Sequence, residues 1–356
     1  MQPWHDSGNK PLFGESGRVK GVLVEKKQCL KLVLVLVSLA LKTPGAIAWG
    51  GMGHQVVGEI AERNLTPSAR QSILNILGPE PLAISATWPD DIRDDQDFKD
   101  FGDYHFVEVK TGDDFAKIPP EHMPVRSAYT VMAKYPDLIK NPATPRSVKM
   151  VALKYLIHVI GDLHQPLHVG NDVDAGGNLC RVYLSPGSRD TNLHSIWDTL
   201  FVNDDVERFK KARTPQVKYY SYIHYADDIL QVLNLNPSQV KNAQTTDVFA
   251  WIRDAQDLRK YVYPDDVSHG PVNDQNRPYC SKKSEQKRSP LDPSVIPVLS
   301  EAYKANATTV VEAQLVRGGL RAAAYLNALF ASPVSPGPNT ALTKQQIIDA
   351  LDLTNH

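Results

Sequence analysis

The chain has 356 residues, of which 42% are hydrophobic and 22% charged, and its formal net charge is −1. This is an ordinary globular composition, long enough for one large core or two smaller ones, with no internal repeat and no low-complexity tract of consequence. Near-zero net charge leaves no electrostatic footprint for wrapping a nucleic acid, so a phosphate-bearing partner has to be held by local positive charge, which bound metal can supply.

The first 48 residues differ from the rest. Lys26, Lys27 and Lys31 flank an apolar run from Leu32 to Leu41, followed by Pro44 and the small-x-small triplet Ala46-Ile47-Ala48. The run is too short to span a bilayer, and the pattern reads as a secretory signal peptide cut after Ala48. Residues 1 to about 21 read as an irregular upstream extension. The mature protein is then secreted or periplasmic, with no stable membrane association. Of three cysteines, Cys29 leaves with the leader. Cys180 and Cys280 are free to pair in an oxidising compartment, and the sequence leaves paired and unpaired states open.

Mature residues begin at Trp49. Val56, Val57, Ile60 and Ala61 repeat at helical spacing behind His54. A free α-amino group and the first carbonyl oxygen form a natural five-membered chelate that His54 can close; the alternative is an incidental histidine at a helix start. Thr66-Pro67 opens a second helix, which runs to about Leu77 and is stopped by Gly78-Pro79. In ATWPDDIRDD, Asp94 and Asp95 read as solvated, whereas Trp88 beside Asp90 suggests a partly buried carboxylate, which wants a cation. GDYHFVEV places His105 and Phe106 in a short extended piece. A helix is expected near 126–139, and His122 before it reads as a loop residue.

The central helix begins near Ser147 and carries His158 and Asp162, four apart and therefore on one face. Pro166 breaks it and redirects His168; His164 lies off the shared face and reads either as a support for the neighbouring ligands or as structural. Gly176-Gly177 makes a tight turn beside Asn178, and His194 and Asp198 open another helix. His158, Asp162, His168, His194 and Asp198 thus fall within 41 residues, and neutral imidazole with carboxylate is the usual donor set of catalytic zinc. Further helices are expected within 219–235 and 246–263, a surface excursion over 264–293, a long helix from Ser294 to Phe330, and a proline-rich tail that is briefly helical. His224 and His269 have no evident partner. Strand alternation is absent, so the fold is expected to be mostly α.

Trp49 with His54, WPD at 88–90, HF at 105–106, HVIGDLHQPLH at 158–168, GGN at 176–178 and HSIWD at 194–198 occur in order. Together they resemble the secreted zinc-dependent single-strand-specific nucleases and 3'-nucleotidases of fungi, plants and bacteria. The likeness extends more weakly to Trp251, Tyr263 and QLVRGGLRAAAYLN at 314–327 and is least over 264–300.

The resemblance implies a single α-helical domain of the zinc phospholipase C/nuclease type over 49–331, a tail over 332–356, and three Zn2+ at the base of a cleft. Asp90, His105, His158 and Asp162 would hold the first ion. The amino and carbonyl groups of Trp49, with His54 and the shared Asp162, would hold the second; His168, His194 and Asp198 would hold the third. A water shared by the paired ions would attack phosphorus, and the third would stabilise the leaving 3'-oxygen, giving 5'-phosphorylated products from single-stranded RNA and DNA and acting on 3'-nucleotides. Asp90 and Arg93 are the catalytic candidates. Arg93 either contacts phosphoryl oxygens or pairs with neighbouring aspartates. Phe106, Glu108 and Asn178 are the substrate-binding candidates: Phe106 would stack on an unpaired base, and Glu108 stands where the family often has an aspartate that bonds the base edge.

Two other readings compete. A zinc phospholipase C shares this fold but typically ends its ligand set in glutamate, whereas Asp198 stands here. A non-catalytic zinc-binding protein would require degraded ligands, and all nine positions are kept. A His-Glu-x-x-His protease motif is absent. No protein partner is implied.

Overall fold

Helix boundaries here follow local capping chemistry. The computed structural model describes residues 49–214, 216–264, 277–284, 291–352 and 354; the leader segment, His269 and most of the 264–293 excursion lie outside them. Thr66 caps Pro67–Leu77 by accepting from Ala69 N–H, and Ser127 caps Ala128–Lys140 by accepting from Thr130 N–H, each satisfying one of the orphan donors of a first turn. Within the described residues no helix is long and apolar enough to cross a membrane.

The central helix, Arg146–Asp162, is buried on every side from Val151 to Asp162, as a helix at the middle of a core must be. It packs against the N-terminal helix Gly51–Arg63, the helix Ala128–Lys140 and the long C-terminal helix Glu301–Leu329. Its Tyr155 packs edge-on with Tyr104 and Tyr135, which also meet edge-on. A second buried cluster joins Val56, Val57 and Ile60 to Trp49, Trp197 and Leu315. The fold is mostly α, with only two small two-stranded sheets among the described residues.

Several expectations are adjusted. The C-terminal helix starts at Glu301 rather than Ser294: Pro293–Val295 forms a separate single turn, Pro297 lacks the donor a helix needs, and Ser300 supplies the cap. GDYHFVEV is only partly extended. Gln96–His105 is a 3-10 segment, and the strand is the pair Val107–Glu108, which joins Val169–Gly170 in parallel. The segment holding His194 begins as Leu193–Ser195 under an Asn192 cap, widens into a π turn over Ile196–Leu200, then continues as Phe201–Arg213. Such widened turns are often found at functional sites. The expected helices within 219–235 and 246–263 are Tyr222–Leu233 and Val248–Leu258.

Candidate metal centre and adjoining pocket

Asp162, at the end of the central helix, is the meeting point of four histidines. Its Oδ2 lies 3.2 Å from His158 Nε2 and 3.3 Å from His105 Nδ1, while Oδ1 lies 3.3 Å from His54 Nε2 and 3.8 Å from His168 Nδ1. Asp90 faces the same group: Oδ1 is 3.8 Å from both His105 Nδ1 and His158 Nε2, and Oδ2 is 3.9 Å from His54 Nε2. The sequence-derived donors therefore converge from four separate stretches. A second group lies alongside, with His194 Nε2 2.9 Å from Asp198 Oδ2 and His168 Nε2 3.6 Å from Asp198 Oδ1.

Backbone carbonyls set the direction in which three of these rings offer a lone pair. His158 Nδ1 donates to Ala86 O (2.6 Å), His168 Nδ1 to His105 O (2.8 Å) and His194 Nδ1 to Gly176 O (2.7 Å). Each bond fixes the proton on Nδ1 and leaves Nε2 as the inward-facing donor atom, the outer-sphere arrangement expected of metal-binding imidazole.

The donor set passes a test for metal. Both ring nitrogens of His54, both oxygens of Asp90 and of Asp162, Nε2 of His168 and of His194, and Oδ2 of Asp198 are buried without a hydrogen-bond partner. Buried polar atoms are otherwise almost always bonded, and carboxylates out of water demand a cation. Three compact groups have the spacing a metal needs: His54, His158 and Asp162; Asp90, His105 and His158; and His168, His194 and Asp198. Asp174, Cys180 and Cys280 also lie close together, but the two sulfurs are joined to each other.

The charge balance points the same way. Burial, with His158 nearby, pushes His54 below its ordinary pKa, and burial also lowers His105, so both favour the neutral, lone-pair form. Burial opposes charge on His158 and His168 too, but Asp162 with Asp90 raises the first, and Asp162 with Asp198 raises the second to about 9. Against its own burial, Asp162 is held well below the usual carboxylate range by His158, His168 and His105. These carboxylates favour positive charge in the cavity, the place a bound cation would take.

Other sequence-derived residues take definite places. Trp49 is fully buried and its indole donates to Gly161 O (2.9 Å). Arg93 lies 3.6 Å from Asp90 Oδ1 and also lines the pocket beside the cluster, so the two readings of it describe one position. Phe106, Glu108, Asn178 and Lys283 line the same pocket. Both polar groups of Asn178 are used within the fold, bonding Ala175 O and Asn192 Nδ2. Glu108 is committed as well, accepting from Lys283 Nζ and from Asp172 N–H (2.8 Å). Cys180 and Cys280 form a disulfide.

Sequence reasoning missed the supporting residues. Gln165 donates to Asp198 Oδ1 (2.5 Å) and accepts from Leu167 N–H. Asp174 accepts from Gly177 N–H (2.8 Å), Asn171 Nδ2 and Tyr263 OH, and thereby fixes the turn whose Gly176 carbonyl orients His194. His164 is structural, the second of its two readings: its Nδ1 donates to Ile160 O and its Nε2 accepts from Arg321, which pairs with Asp254. Burial, aided by Arg321, lowers it to about 3 and keeps it neutral. His224 forms a capping box with Ser221. The glutamine inside HQPLH and the aspartate two residues before GGN were the available signal for Gln165 and Asp174.

Comparison with known proteins adds a family. A model described as S1/P1 Nuclease matches residues 49–331. Endonuclease 3 of Arabidopsis thaliana is 26% identical over 313 residues, covering 84% of this chain and 94% of that protein. Nuclease S1 of Aspergillus oryzae is 32% identical over 168 residues, covering 42% and 53%. Nuclease P1 of Penicillium citrinum is 24% identical over 307 residues, covering 81% of this chain and 100% of that one.

Proposed function

Because this chain belongs to the S1/P1 nuclease family, and is on that ground a hydrolase of nucleic acids, we propose that it is a zinc-dependent phosphodiesterase cleaving single-stranded RNA and DNA to 5'-phosphorylated products, with 3'-nucleotidase activity. The observation that carries the zinc assignment is the set of buried, unpartnered nitrogens and oxygens on His54, Asp90, Asp162, His168, His194 and Asp198. We assign three ions: one to Asp90, His105, His158 and Asp162; one to the Trp49 amino and carbonyl groups with His54 and Asp162; one to His168, His194 and Asp198. Zn2+ held by these residues would supply positive charge to phosphoryl oxygens and would lower the pKa of water to near neutrality.

The chain's own residues supply the rest. Arg93 presents a guanidinium to the pocket while pairing with Asp90, where it stabilises charge on phosphoryl oxygens. Phe106, part-exposed at the pocket, offers a face for an unpaired base, which favours single strands. Gln165, by bonding Asp198 Oδ1, fixes which carboxylate oxygen faces His194. The Cys180–Cys280 disulfide supports an oxidising compartment. Export with cleavage after Ala48 would expose the Trp49 amino group, leaving a nuclease domain over 49–331 and a tail over 332–356.

The test is release of acid-soluble nucleotides from single-stranded and duplex RNA and DNA by protein beginning at Trp49, with phosphatidylcholine hydrolysis measured alongside, before and after EDTA and after zinc is restored. Chelator-sensitive release from single strands without lipid turnover is expected. Lipid turnover without nucleotide release would transfer the reading to a phospholipase C.

A further inference from the structure

Glu108 lies folded against the pocket wall over Gly170. A Cβ at residue 170 would collide with Glu108 Oε2, so the glycine is what lets the carboxylate lie there. Oε2 is taken by the Asp172 amide at 2.8 Å, and Oε1 by Lys283 Nζ, which also stands 3.6 Å from Asp172 Oδ1. The wall of the pocket therefore presents an ammonium beside a carboxylate. A lone carboxylate is acceptor-only, whereas an ammonium brings three donors.

Lys283 comes from a remote part of the chain, yet its backbone is fixed. The disulfide Cys180–Cys280 anchors the segment, and three main-chain bonds extend the anchor: Arg181 N–H to Tyr279 O (2.9 Å), Ser281 N–H to Leu179 O (3.0 Å) and Lys283 N–H to Val173 O (2.9 Å). The lysine is built into the pocket.

We propose that Lys283 is a specificity-determining residue: by occupying one oxygen of Glu108 and adding a donor of its own, it makes the pocket tolerant of base identity. The inference rests on the nuclease reading above. The chemistry is that of base edges. A free carboxylate accepts two hydrogen bonds at once from guanine, whose N1–H and N2–H lie side by side; adenine, cytosine and uracil each offer it a single donor site on that edge. The Asp172 amide uses one lone pair of Oε2 and leaves the other for a base, whereas Lys283 sets a charged ammonium on Oε1 that competes with guanine for that oxygen and weakens the paired contact. The second base-facing partner becomes an ammonium proton, which can bond an acceptor such as guanine O6, uracil O4, cytosine N3 or adenine N1. Every base then finds one donor and one acceptor, and guanine loses its advantage.

The experiment compares wild type, K283M, K283R and the double variant K283M/E108Q in two assays. One is kcat/KM for cleavage of the four ribodinucleoside monophosphates GpU, ApU, CpU and UpU. The other is Kd for the four corresponding nucleosides on the same metal-loaded protein, which lack a phosphate ester and so cannot be turned over. Expected is a near-even profile for wild type and K283R, and a rise of about tenfold in guanine preference for K283M, as one paired base contact predicts. The rise should vanish in the double variant, which removes the carboxylate's double acceptance. A uniform loss across all bases in K283M would assign Lys283 to a phosphate and overturn the proposal. Unchanged ratios with lowered melting temperature would make it merely structural and overturn it equally. If the binding profile shifts as stated while no variant cleaves any dinucleotide, the base-reading role of Lys283 stands and the nuclease assignment fails.

Discussion

Gly161 and His54 share one space: a Cβ built on Gly161 would stand 2.9 Å from His54 Nδ1. The glycine in HVIGDLH is thus a steric requirement, placed one residue before Asp162 so that the imidazole of another helix can lie against the central one. Its carbonyl meanwhile holds the indole of Trp49. Gly161→Ala should leave the protein folded, at a cost of about 1–3 kcal/mol for overpacking, but displace His54. The expected result is loss of more than tenfold in activity together with lowered zinc content by elemental analysis. Full zinc occupancy in the variant would contradict the role given to His54.

Asp162 divides its oxygens between His54 on one side and His158 and His105 on the other, whereas His194 faces Asp198 alone within its own group. Asp162→Ala should therefore lower zinc stoichiometry by more than His194→Ala does. Equal losses, counted on protein purified in parallel, would argue against a bridging carboxylate.

Glu312 lies outside the site, buried on the C-terminal helix with Arg208 2.7 Å away. Arg208 also bonds Asp205, which accepts from Tyr225 OH. Burial, and the neighbouring Asp205 carboxylate, raise Glu312 to about 7 despite Arg208. The folded state therefore holds a proton that the unfolded chain releases near 4.5. The resulting stability is fully present below that value and is lost as pH rises through about 7. Glu312→Gln, which cannot ionise, should gain in melting temperature relative to wild type between pH 5 and pH 8. Scanning calorimetry checks this, and parallel curves for the two proteins would refute it.

The Cys180–Cys280 bond closes a separation of 100 residues. Replacing both cysteines by serine should cost about 2–5 kcal/mol of stability, read from denaturant midpoints at constant m. Because the same segment carries Lys283, the variant should also show an altered base profile in dinucleotide cleavage. Stability loss with an unchanged profile would mean that main-chain bonding alone holds the lysine in place.

What was legible in the sequence was what side-chain identity encodes. Apolar spacing placed the helices around Val57 and Leu156, Thr66-Pro67 marked a helix start, and the histidines and aspartates of the candidate site stood out by their donor chemistry. The carbonyls of Ala86, His105 and Gly176 were invisible, since every residue carries one and only the folded backbone aims it. The π turn at Ile196–Leu200 escaped notice because its apolar residues fit an ordinary helix equally well. Lys283 was hidden in a stretch that looks like surface excursion, and its partner Glu108 is 175 residues away. Long-range ion pairs leave no local pattern to read.

The three carbonyls that orient His158, His168 and His194 belong to parts of the chain 72, 63 and 18 residues distant from the rings they hold. Each ring is thus aimed by a stretch of chain other than its own, and an imidazole whose carbonyl partner has not yet packed against it is free to rotate and take either tautomer. Metal affinity is therefore expected to be a property of the closed core and not of any local stretch of chain.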